Sequence, residues 1–409
     1  MKKSKKRKLI IIVSIAVILL VCAVVVILLL NKKDKTDNDK ISKYELIQNE
    51  QVIFDMADTI GAAGDFVYFY DYPVNYYGEY DVKNDKMLKM PVNNFIANYN
   101  FYEGELYCVM ADLANNNKLS FVKWDINTGD YEPVYVTPDG VEGLYNFSMS
   151  NTGIMFFNER KHKSKVKIGE YLTNEDGFRV NNDLYMYNPE TKEKTKLAEG
   201  AEMYYVRGDR IYFNRVHESL QEVVYYVEIE NPEKVIDTGI VCRTLDAVGR
   251  GFSGDFYVDH KGEYIYYSGG TNEYKRKNIK TGEEEIIVTY TDSNGYYASV
   301  QEFNGKQIVY VRCAYDNEVG FGAKLFEIDV EKKESKQIWT DTLEELLVDT
   351  FIFKGNDDYY LLLTYPAWEI NINQEHDIVG NRYYLVYKDG TKKLIFDDVD
   401  LPRWAGFGT

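Results

Sequence analysis

Short runs in which aromatic or branched apolar residues alternate with polar ones recur along the chain after residue 60. Each run follows a glycine and one or two polar residues, as in Gly208-Asp-Arg-Ile-Tyr-Phe213 and Gly262-Glu-Tyr-Ile-Tyr-Tyr267. Alternation with a period of two predicts β-strands that bury one face. The glycine can adopt the positive φ that a tight hairpin turn needs. The best candidate for a short helix in this region is Thr342–Leu347.

The glycine-led run occurs seven times, and the spacings between its glycines are 40, 49, 55, 54, 43 and 50 residues. Propeller blades repeat with a similar period of roughly 40–50 residues. One repeat divides into four strands, over residues 202–206, 210–214, 224–229 and 235–241. One such sheet cannot bury both of its faces, so the units must pack around an axis. The pattern therefore predicts an all-β fold, a β-propeller of about seven four-stranded blades. The last blade is completed either by Lys393–Phe396 alone or by pairing with Gln51–Phe54.

The chain begins with a different pattern, a basic tail (residues 1–8) followed by 22 uncharged residues, Leu9–Leu30. A helix of that length spans about 33 Å, which matches the hydrocarbon core of a bilayer. We therefore expect a single N-terminal transmembrane helix that acts as an uncleaved signal-anchor. A cleaved signal peptide and a lipoprotein acylated at Cys22 are the alternatives. The first lacks a small-residue cleavage site after Leu30, and the second lacks a small residue before Cys22.

The distribution of basic residues predicts the orientation of this helix. Residues 1–8 carry six positive charges, whereas residues 31–43 carry five Lys and three Asp. The more positive flank stays in the cytoplasm, so residues 44–409 are expected outside the cell. Residues 31–43 have almost no apolar content and read as a disordered stalk.

The domain predicted outside the cell is acidic, with 37 Lys and Arg against 62 Asp and Glu in residues 44–409. Such a surface repels nucleic acid, whose binding depends on basic charge. Cysteines outside the anchor are few, namely Cys108, Cys242 and Cys313. They are far apart and lie in apolar contexts, so we expect buried free thiols and no disulfide framework.

Several repeats resemble those of a known group of propellers. Residues 208–214, residues 262–268 and Lys388-Asp-Gly-Thr391 carry the resemblance. The group is the uncharacterised membrane-anchored "low-density lipoprotein receptor-like" or TolB-like β-propellers of Gram-positive bacteria. The Trp-Thr-Asp half of the receptor signature is missing from every repeat. The resemblance implies the fold and the anchored topology, and it implies no ligand and no enzymatic residue.

Familiar catalytic signatures are missing from the sequence. The four histidines form no His-Glu-x-x-His motif, and neither Gly-x-Ser-x-Gly nor a nucleotide-binding glycine loop occurs. The stretch Asp125–Asp130 looks like part of a calcium loop, but it lacks the distal Glu and reads as a hairpin turn. We therefore predict no catalytic residue, no metal site and no cofactor.

A binding face is predicted from the connections between the second and third strands of each blade, which all emerge at one end. Two of these connections are long, over Asn158–Asn182 and Tyr365–Arg382, and the shorter ones over Asp71–Gly78 and Tyr315–Gly322 are aromatic. Exposed aromatic side chains are typical of contact sites. The candidate ligand-binding residues are Tyr72, Tyr76, Tyr77, Phe321 and Trp368.

These features favour a membrane-anchored propeller that binds or scaffolds an unknown protein or glycan outside the cell. The alternative is an exported carbohydrate-active enzyme, a lyase or glycosidase, with carboxylates that converge from separate blades at the central channel. A substitution at the opposite end, such as Arg207→Ala, is expected to have little effect on binding.

Overall fold

The computed structural model describes most strands of the predicted domain and some of the connections between them. The described residues are 44, 61–63, 66–71, 76–91, 96–103, 105–112, 118–125, 128, 130–161, 173–180, 182–219, 221–244, 256–268, 273–289, 296–312, 323–340, 346–354, 358–365 and 382–397. The predicted membrane helix and the stalk lie outside these ranges. Within them, no helix has the length and apolar character needed to cross a bilayer.

The strands form seven antiparallel sheets of four strands each, and every sheet uses four strands that are consecutive in the chain. Sheet 1 contains β1 Gly61–Ala63, β2 Phe66–Asp71, β3 Tyr76–Asp81 and β4 Lys86–Pro91. Sheet 2 contains β5 Ile96–Tyr102, β6 Glu105–Asp112, β7 Lys118–Trp124 and β8 Tyr131–Val136. Sheet 3 contains β9 Val141–Met149, β10 Met155–Lys161, β11 Asn182–Asn188 and β12 Glu193–Glu199.

The remaining four sheets follow the same plan. Sheet 4 contains β13 Ala201–Arg207, β14 Arg210–Val216, β15 Gln221–Glu228 and β16 Asn231–Thr244. Sheet 5 contains β17 Tyr257–Val258, β18 Tyr264–Tyr267, β19 Glu273–Asn278 and β20 Glu284–Thr289. Sheet 6 contains β21 Tyr296–Phe303, β22 Lys306–Arg312, β23 Ala323–Asp329 and β24 Glu334–Thr340. Sheet 7 contains β25 Leu346–Lys354, β26 Tyr359–Tyr365, β27 Arg382–Tyr387 and β28 Lys392–Asp397.

The sheets are arranged as a propeller around an axis lined by their first strands. β5 contacts β9, β13 contacts β17, and β21 contacts β25. β1 contacts both β5 and β25, so the first and last sheets meet and the ring closes. The last sheet is completed by β28 from its own repeat, as one of the two predicted closures proposed. Gln51–Phe54, the other predicted partner, lies outside the described residues.

The hydrophobic core is divided among the spaces between adjacent sheets. Between sheets 5 and 6, Tyr257, Tyr266 and Tyr274 pack against Val309 and Ile328. Similar clusters lie between sheets 2 and 3, 3 and 4, 4 and 5, and 6 and 7. Because each strand turns one row of alternating side chains toward each neighbour, the aromatic rows of the repeat fill these spaces.

The turns between the first and second strands have the backbone that the repeated glycine predicted. Gly208, Gly262 and Gly305 have φ values of 59°, 66° and 70°. A Cβ at Gly262 would lie 3.2 Å from the Cβ of Arg207, so this glycine also allows the neighbouring sheet to approach closely. The prediction of a short helix at Thr342–Leu347 is wrong at its end, because Leu346 begins the strand β25. Pairing with β26 outweighs the local preference there.

Two cysteines confirm the prediction of buried free thiols, since Cys108 and Cys242 are both buried and unbridged. Cys313 lies outside the described residues. Burial raises the pKa of the Cys108 thiol well above its usual range. Tyr44, where the propeller domain was predicted to begin, is also buried, and its ring packs edge-on against Phe156 at 6.3 Å.

Candidate functional site

The sequence-predicted contact residues are described only in part. Tyr72, Phe321 and Trp368 lie outside the described residues. Tyr76 and Tyr77 were predicted in a loop, but they form the start of β3, where they pair with Asp71 and Tyr70 of β2. The connection therefore comprises residues 72–75 only, because the alternating aromatic pattern extends the hairpin further than the sequence analysis proposed.

One of the long connections folds back on its neighbour. Residues 173–180 of the connection between β10 and β11 lie against the corresponding connection of sheet 4, where Phe178 pairs with His217. The Arg179 amide donates to the Val216 carbonyl at 2.9 Å, and the Phe178 ring contacts the His217 ring edge-on. This part of the connection packs against the propeller rather than projecting from it.

A cleft opens at the opposite end of the propeller, which we call the turn face because the turns between first and second strands lie there. This turn-face cleft runs between the turns β13–β14, β17–β18 and β21–β22 of sheets 4, 5 and 6, and its volume is about 760 Å³. Ligand sites in proteins commonly have volumes of roughly 300–1,000 Å³. Its aromatic lining residues are Tyr257, Tyr264, Tyr266 and Phe303.

Arg207 fixes the inner wall of this cleft. Its Nε donates hydrogen bonds to the carbonyl oxygens of Val258 and Asp259, both at 3.0 Å, and its Nη1 donates to the Val206 carbonyl at 3.1 Å. Only 8% of Arg207 is exposed. The sequence places Arg207 in a turn opposite the long connections, where Arg207→Ala is expected to have little effect on binding; the structure shows that the residue is buried. The residue connects sheet 4 to sheet 5 and lines the cleft.

Asp259 shapes the neighbouring turn of sheet 5. Its Oδ1 accepts hydrogen bonds from the backbone amides of Glu263 at 2.7 Å and Tyr264 at 2.9 Å. Burial raises the pKa of Asp259 above its ordinary value, and the nearby Glu302 carboxylate adds to this effect, although the two amide bonds oppose it. The carboxylate supports the turn that presents the Tyr264 ring to the cleft.

Arg276 organises the outer wall. Its Nε donates to Glu285 at 2.5 Å, its Nη1 donates to Glu331 at 3.0 Å, and its guanidinium lies 4.4 Å from the centre of the Tyr264 ring. Burial raises the pKa of Tyr266 to about 12, even though Arg276 favours the ionised form. The phenol is therefore a neutral hydrogen-bonding group at physiological pH.

His260 bridges the mouth of the cleft between sheets 5 and 6. Its Nδ1 lies 2.8 Å from Glu302 Oε2, and the His260 side chain is 61% exposed. Of the other histidines, His217 binds Ser219 in its own turn, and the remaining two lie outside the described residues. In the described ranges, no three His, Cys, Asp or Glu side chains are grouped so that they could hold a metal ion.

A second polar cluster lies at the loop face, the end opposite the cleft. Asn182 donates to Glu202 Oε2 at 2.6 Å, and Asn214 donates to Glu222 Oε2 at 2.9 Å. Burial and the negative charge of Glu222 raise the pKa of Glu202, and these effects outweigh the opposing charge of Arg160. This cluster was not predicted from the sequence because its residues come from two different repeats.

The turn-face cleft was also missed, and for the same reason. One local signal was available for it: the polar turns after Arg207, Asp259 and Phe303 occupy equivalent positions in three successive repeats. Residues at equivalent positions of neighbouring blades lie side by side at one end of a propeller. The predicted binding face was instead placed at the other end, on the connections between the second and third strands.

No protein-family model and no curated protein matches this chain. Solved structures match it in fold. An oligogalacturonate lyase from Vibrio parahaemolyticus aligns with 13% identity and a TM-score of 0.51, over 77% of this chain and 88% of the lyase. The β-propeller domain of the Trilobed protease from Pyrococcus furiosus, described as having an open velcro topology, aligns with 12% identity and a TM-score of 0.52, over 88% and 99%.

A puromycin-hydrolysing peptidase from Mycobacterium tuberculosis aligns with 9% identity and a TM-score of 0.53, over 90% of this chain and 56% of the peptidase. Identities this low show a shared fold and carry no residue's role from one protein to another. The chain is thus an all-β propeller whose relatives in fold include a lyase and peptidases.

Proposed function

We propose that this protein is a membrane-anchored propeller that binds a ligand outside the cell in its turn-face cleft, without catalysing a reaction. The observation that carries the proposal is the combination of volume and lining in that cleft. It has room for a ligand of several rings, and it combines four aromatic side chains with polar groups from three sheets. The anchor Leu9–Leu30 would tether the domain to the cell membrane.

The absence of a catalytic motif from the sequence supports binding over turnover. The polar groups of the cleft support it too, because they are engaged in structural contacts. Asp259 supports a turn, Arg207 connects two sheets, and Arg276 pairs with two carboxylates. Each group is committed to holding the cleft in shape. A rigid, preformed site of this kind favours affinity because little side-chain freedom is lost on binding.

The loop-face residues Tyr72, Tyr76, Tyr77, Phe321 and Trp368 remain a competing location for the same function. Variants separate the two faces. The full-length chain in detergent is applied to an array of oligosaccharides and peptides, and its affinity for the ligands it retains is then titrated. Removing an aromatic contact commonly costs about 2 kcal/mol, roughly a 30-fold change in affinity. We expect that loss for Tyr264→Ala and little change for Tyr77→Ala or Trp368→Ala.

If only the loop-face variants lose affinity, the binding site lies at the loop face. Retention of no ligand from either class on the array would remove the binding proposal altogether. Folding of each variant is checked by circular dichroism, and Tyr264→Leu, which keeps the apolar bulk, replaces Tyr264→Ala if the alanine variant does not fold.

A carbohydrate-active enzyme remains the second candidate, and the Glu202 and Glu222 carboxylates at the loop face favour it. Glycosidases use two carboxyl groups, one of which has a raised pKa and acts as a general acid. Steady release of product from an oligosaccharide library, abolished by Glu202→Gln, would establish this alternative and contradict the binding-only proposal.

A further inference from the structure

Gln307 has an unfilled hydrogen-bonding group at the turn-face cleft. The side chain lines the cleft and only 2% of the residue is exposed. Its Oε1 accepts a hydrogen bond from the Tyr274 hydroxyl at 2.8 Å, whereas its Nε2 has no acceptor among the residues that the structure describes. Reversing the amide would leave the oxygen unpaired instead of the nitrogen. A buried polar group without a partner costs about 1–3 kcal/mol, so a partner from outside the chain would stabilise this site.

The chemistry of that partner is restricted by the unfilled group. A hydroxyl both donates and accepts hydrogen bonds, so it satisfies Gln307 in either orientation of the amide. A carboxylate only accepts and an ammonium only donates. A hydroxyl therefore satisfies Gln307 in both orientations of its amide, whereas a carboxylate or an ammonium satisfies it in only one.

Three cationic groups of the cleft already have partners. Arg276 pairs with two carboxylates, Lys306 pairs with Glu327 at 2.5 Å, and the Arg207 Nε and Nη1 donate to backbone carbonyls. An anionic ligand that approached one of these three groups would have to displace a partner that the group already has, at the cost of that hydrogen bond or ion pair. The guanidinium groups of the cleft therefore serve its own structure and do not favour an acidic ligand.

The aromatic lining provides the apolar surface that a sugar ring needs. Tyr264 is half-buried, and the floor of the cleft contains the more deeply buried Tyr257, Tyr266 and Phe303. A hexose has hydroxyls at its edge and C–H groups on its faces, so it can contact an aromatic ring and a buried amide together. Peptide ligands contain the same group types, but they lack an array of hydroxyls.

We infer that the turn-face cleft takes a neutral, hydroxyl-rich oligosaccharide, with a sugar hydroxyl bound to Gln307 and a sugar face against Tyr264. This inference rests on the proposed function and narrows its ligand class. The inferred ligand is neutral, and in this it differs from the oligogalacturonate in the name of the lyase of similar fold, since galacturonate units carry carboxylates.

The experiment measures the affinity of the full-length chain for three sets of probes: neutral hexose and N-acetylhexosamine oligosaccharides, uronate oligosaccharides of equal length, and peptides. We expect binding to a member of the neutral set and at least 10-fold weaker binding to uronates. Gln307→Leu should weaken the binding of the neutral ligand about 5- to 10-fold, which corresponds to the loss of one hydrogen bond.

Two matched variants serve as controls. Gln301→Leu removes another buried glutamine of the same sheet, which also has an unpaired amide atom but does not line the cleft. Tyr131→Ala removes an exposed tyrosine from β8. Both should retain the affinity of the original chain. If Gln301→Leu and Gln307→Leu weaken binding equally, the hydroxyl contact assigned to Gln307 is wrong.

The outcomes distinguish the inference from the proposed function. If uronates or peptides bind more tightly than neutral oligosaccharides, and Tyr264→Ala weakens that binding, the inference of a neutral sugar is wrong and the cleft is still the binding site. If a probe binds and neither Tyr264→Ala nor Gln307→Leu weakens its binding, the assignment of the binding site to the cleft is wrong. No binding in any of the three sets would overturn both proposals.

Discussion

The Nε of Arg207 in sheet 4 lies 3.0 Å from the carbonyl oxygen of Asp259 in sheet 5 and donates a hydrogen bond to it. The two residues are 52 positions apart in the chain, yet they form one wall of the turn-face cleft. The carboxylate of Asp259 in turn accepts hydrogen bonds from the backbone amides of Glu263 and Tyr264. The shape of the cleft thus depends on contacts between neighbouring blades.

Arg207→Ala should lower the free energy of unfolding by about 2–3 kcal/mol, because hydrogen bonds to charged groups contribute about 1.5–3 kcal/mol and buried carbonyls would lose their donor. Urea unfolding followed by tyrosine fluorescence measures the change. Lys261→Ala in the adjacent exposed turn is the control and should stay within about 0.5 kcal/mol of the original chain. A similar loss in both variants would contradict the role of Arg207 between the sheets.

Glu202→Gln should reduce the pH dependence of stability. The pKa of Glu202 is raised above its ordinary value of 4.5 in the folded chain, so the folded state holds the proton more tightly than the unfolded state. The stability that this carboxyl contributes is present below pH 4.5 and is lost as pH rises through the raised value. Glutamine mimics the protonated form and keeps an oxygen for the Asn182 amide, so the variant should avoid this loss.

The measurement is the melting temperature from pH 4 to pH 8. We expect Glu202→Gln to melt about 2 °C higher than the original chain at pH 8, with no gain at pH 4. Glu233→Gln, at an exposed position of β16, is the control and should follow the original curve. Lower stability of Glu202→Gln at pH 8 would mean that the ionised carboxylate is favoured by its surroundings.

Reducing agent should leave the melting temperature unchanged to within about 1 °C, since removal of a native disulfide commonly costs 2–5 kcal/mol. Cys108 and Cys242 are buried and free, so a thiol reagent should label them only after denaturation. Mass spectrometry of the labelled chain checks both positions. Rapid labelling of Cys108 in the folded protein, or a fall of many degrees on reduction, would contradict this account.

The membrane topology is tested on intact cells. We predict that protease added outside releases a soluble fragment that lacks Leu9–Leu30, because we expect the basic tail of residues 1–8 to keep the N-terminus in the cytoplasm. Sequencing the N-terminus of the untreated protein is the accompanying measurement. A mature N-terminus beyond residue 22, or a domain that is protected from protease, would show that the topology is wrong.

The strands could be predicted from the sequence because their signal is local. The four strands predicted over residues 202–241 match β13 to β16, and only their ends differ. The strand β16 begins four residues earlier than expected, at Asn231, because pairing with β15 continues through several bulges. Alternation specifies where a strand lies, and its partner specifies where it ends.

The cleft and the buried polar groups could not be predicted in the same way, because they depend on contacts between repeats. Asn158 and Asn214 each follow the aromatic run of a second strand, a recurring position that the sequence shows plainly. Their functions differ, however. Asn158 donates to the Ala201 carbonyl in the next sheet, whereas Asn214 accepts from the Met203 amide in its own sheet. The packing of adjacent blades determines the partner of Asn158, whereas Asn214 finds its partner within its own blade.

Hydrogen exchange of the full-length chain, with and without the neutral oligosaccharide that it retains, tests the central claim most directly. Bound ligand slows exchange in the segments that it covers and in those that it rigidifies. We predict slower exchange in the turns at residues 259–263 and 303–306, with no change in the connections of the loop face. Slower exchange that is confined to the loop-face connections, or no change anywhere at saturating ligand, would contradict the assignment of binding to the turn-face cleft.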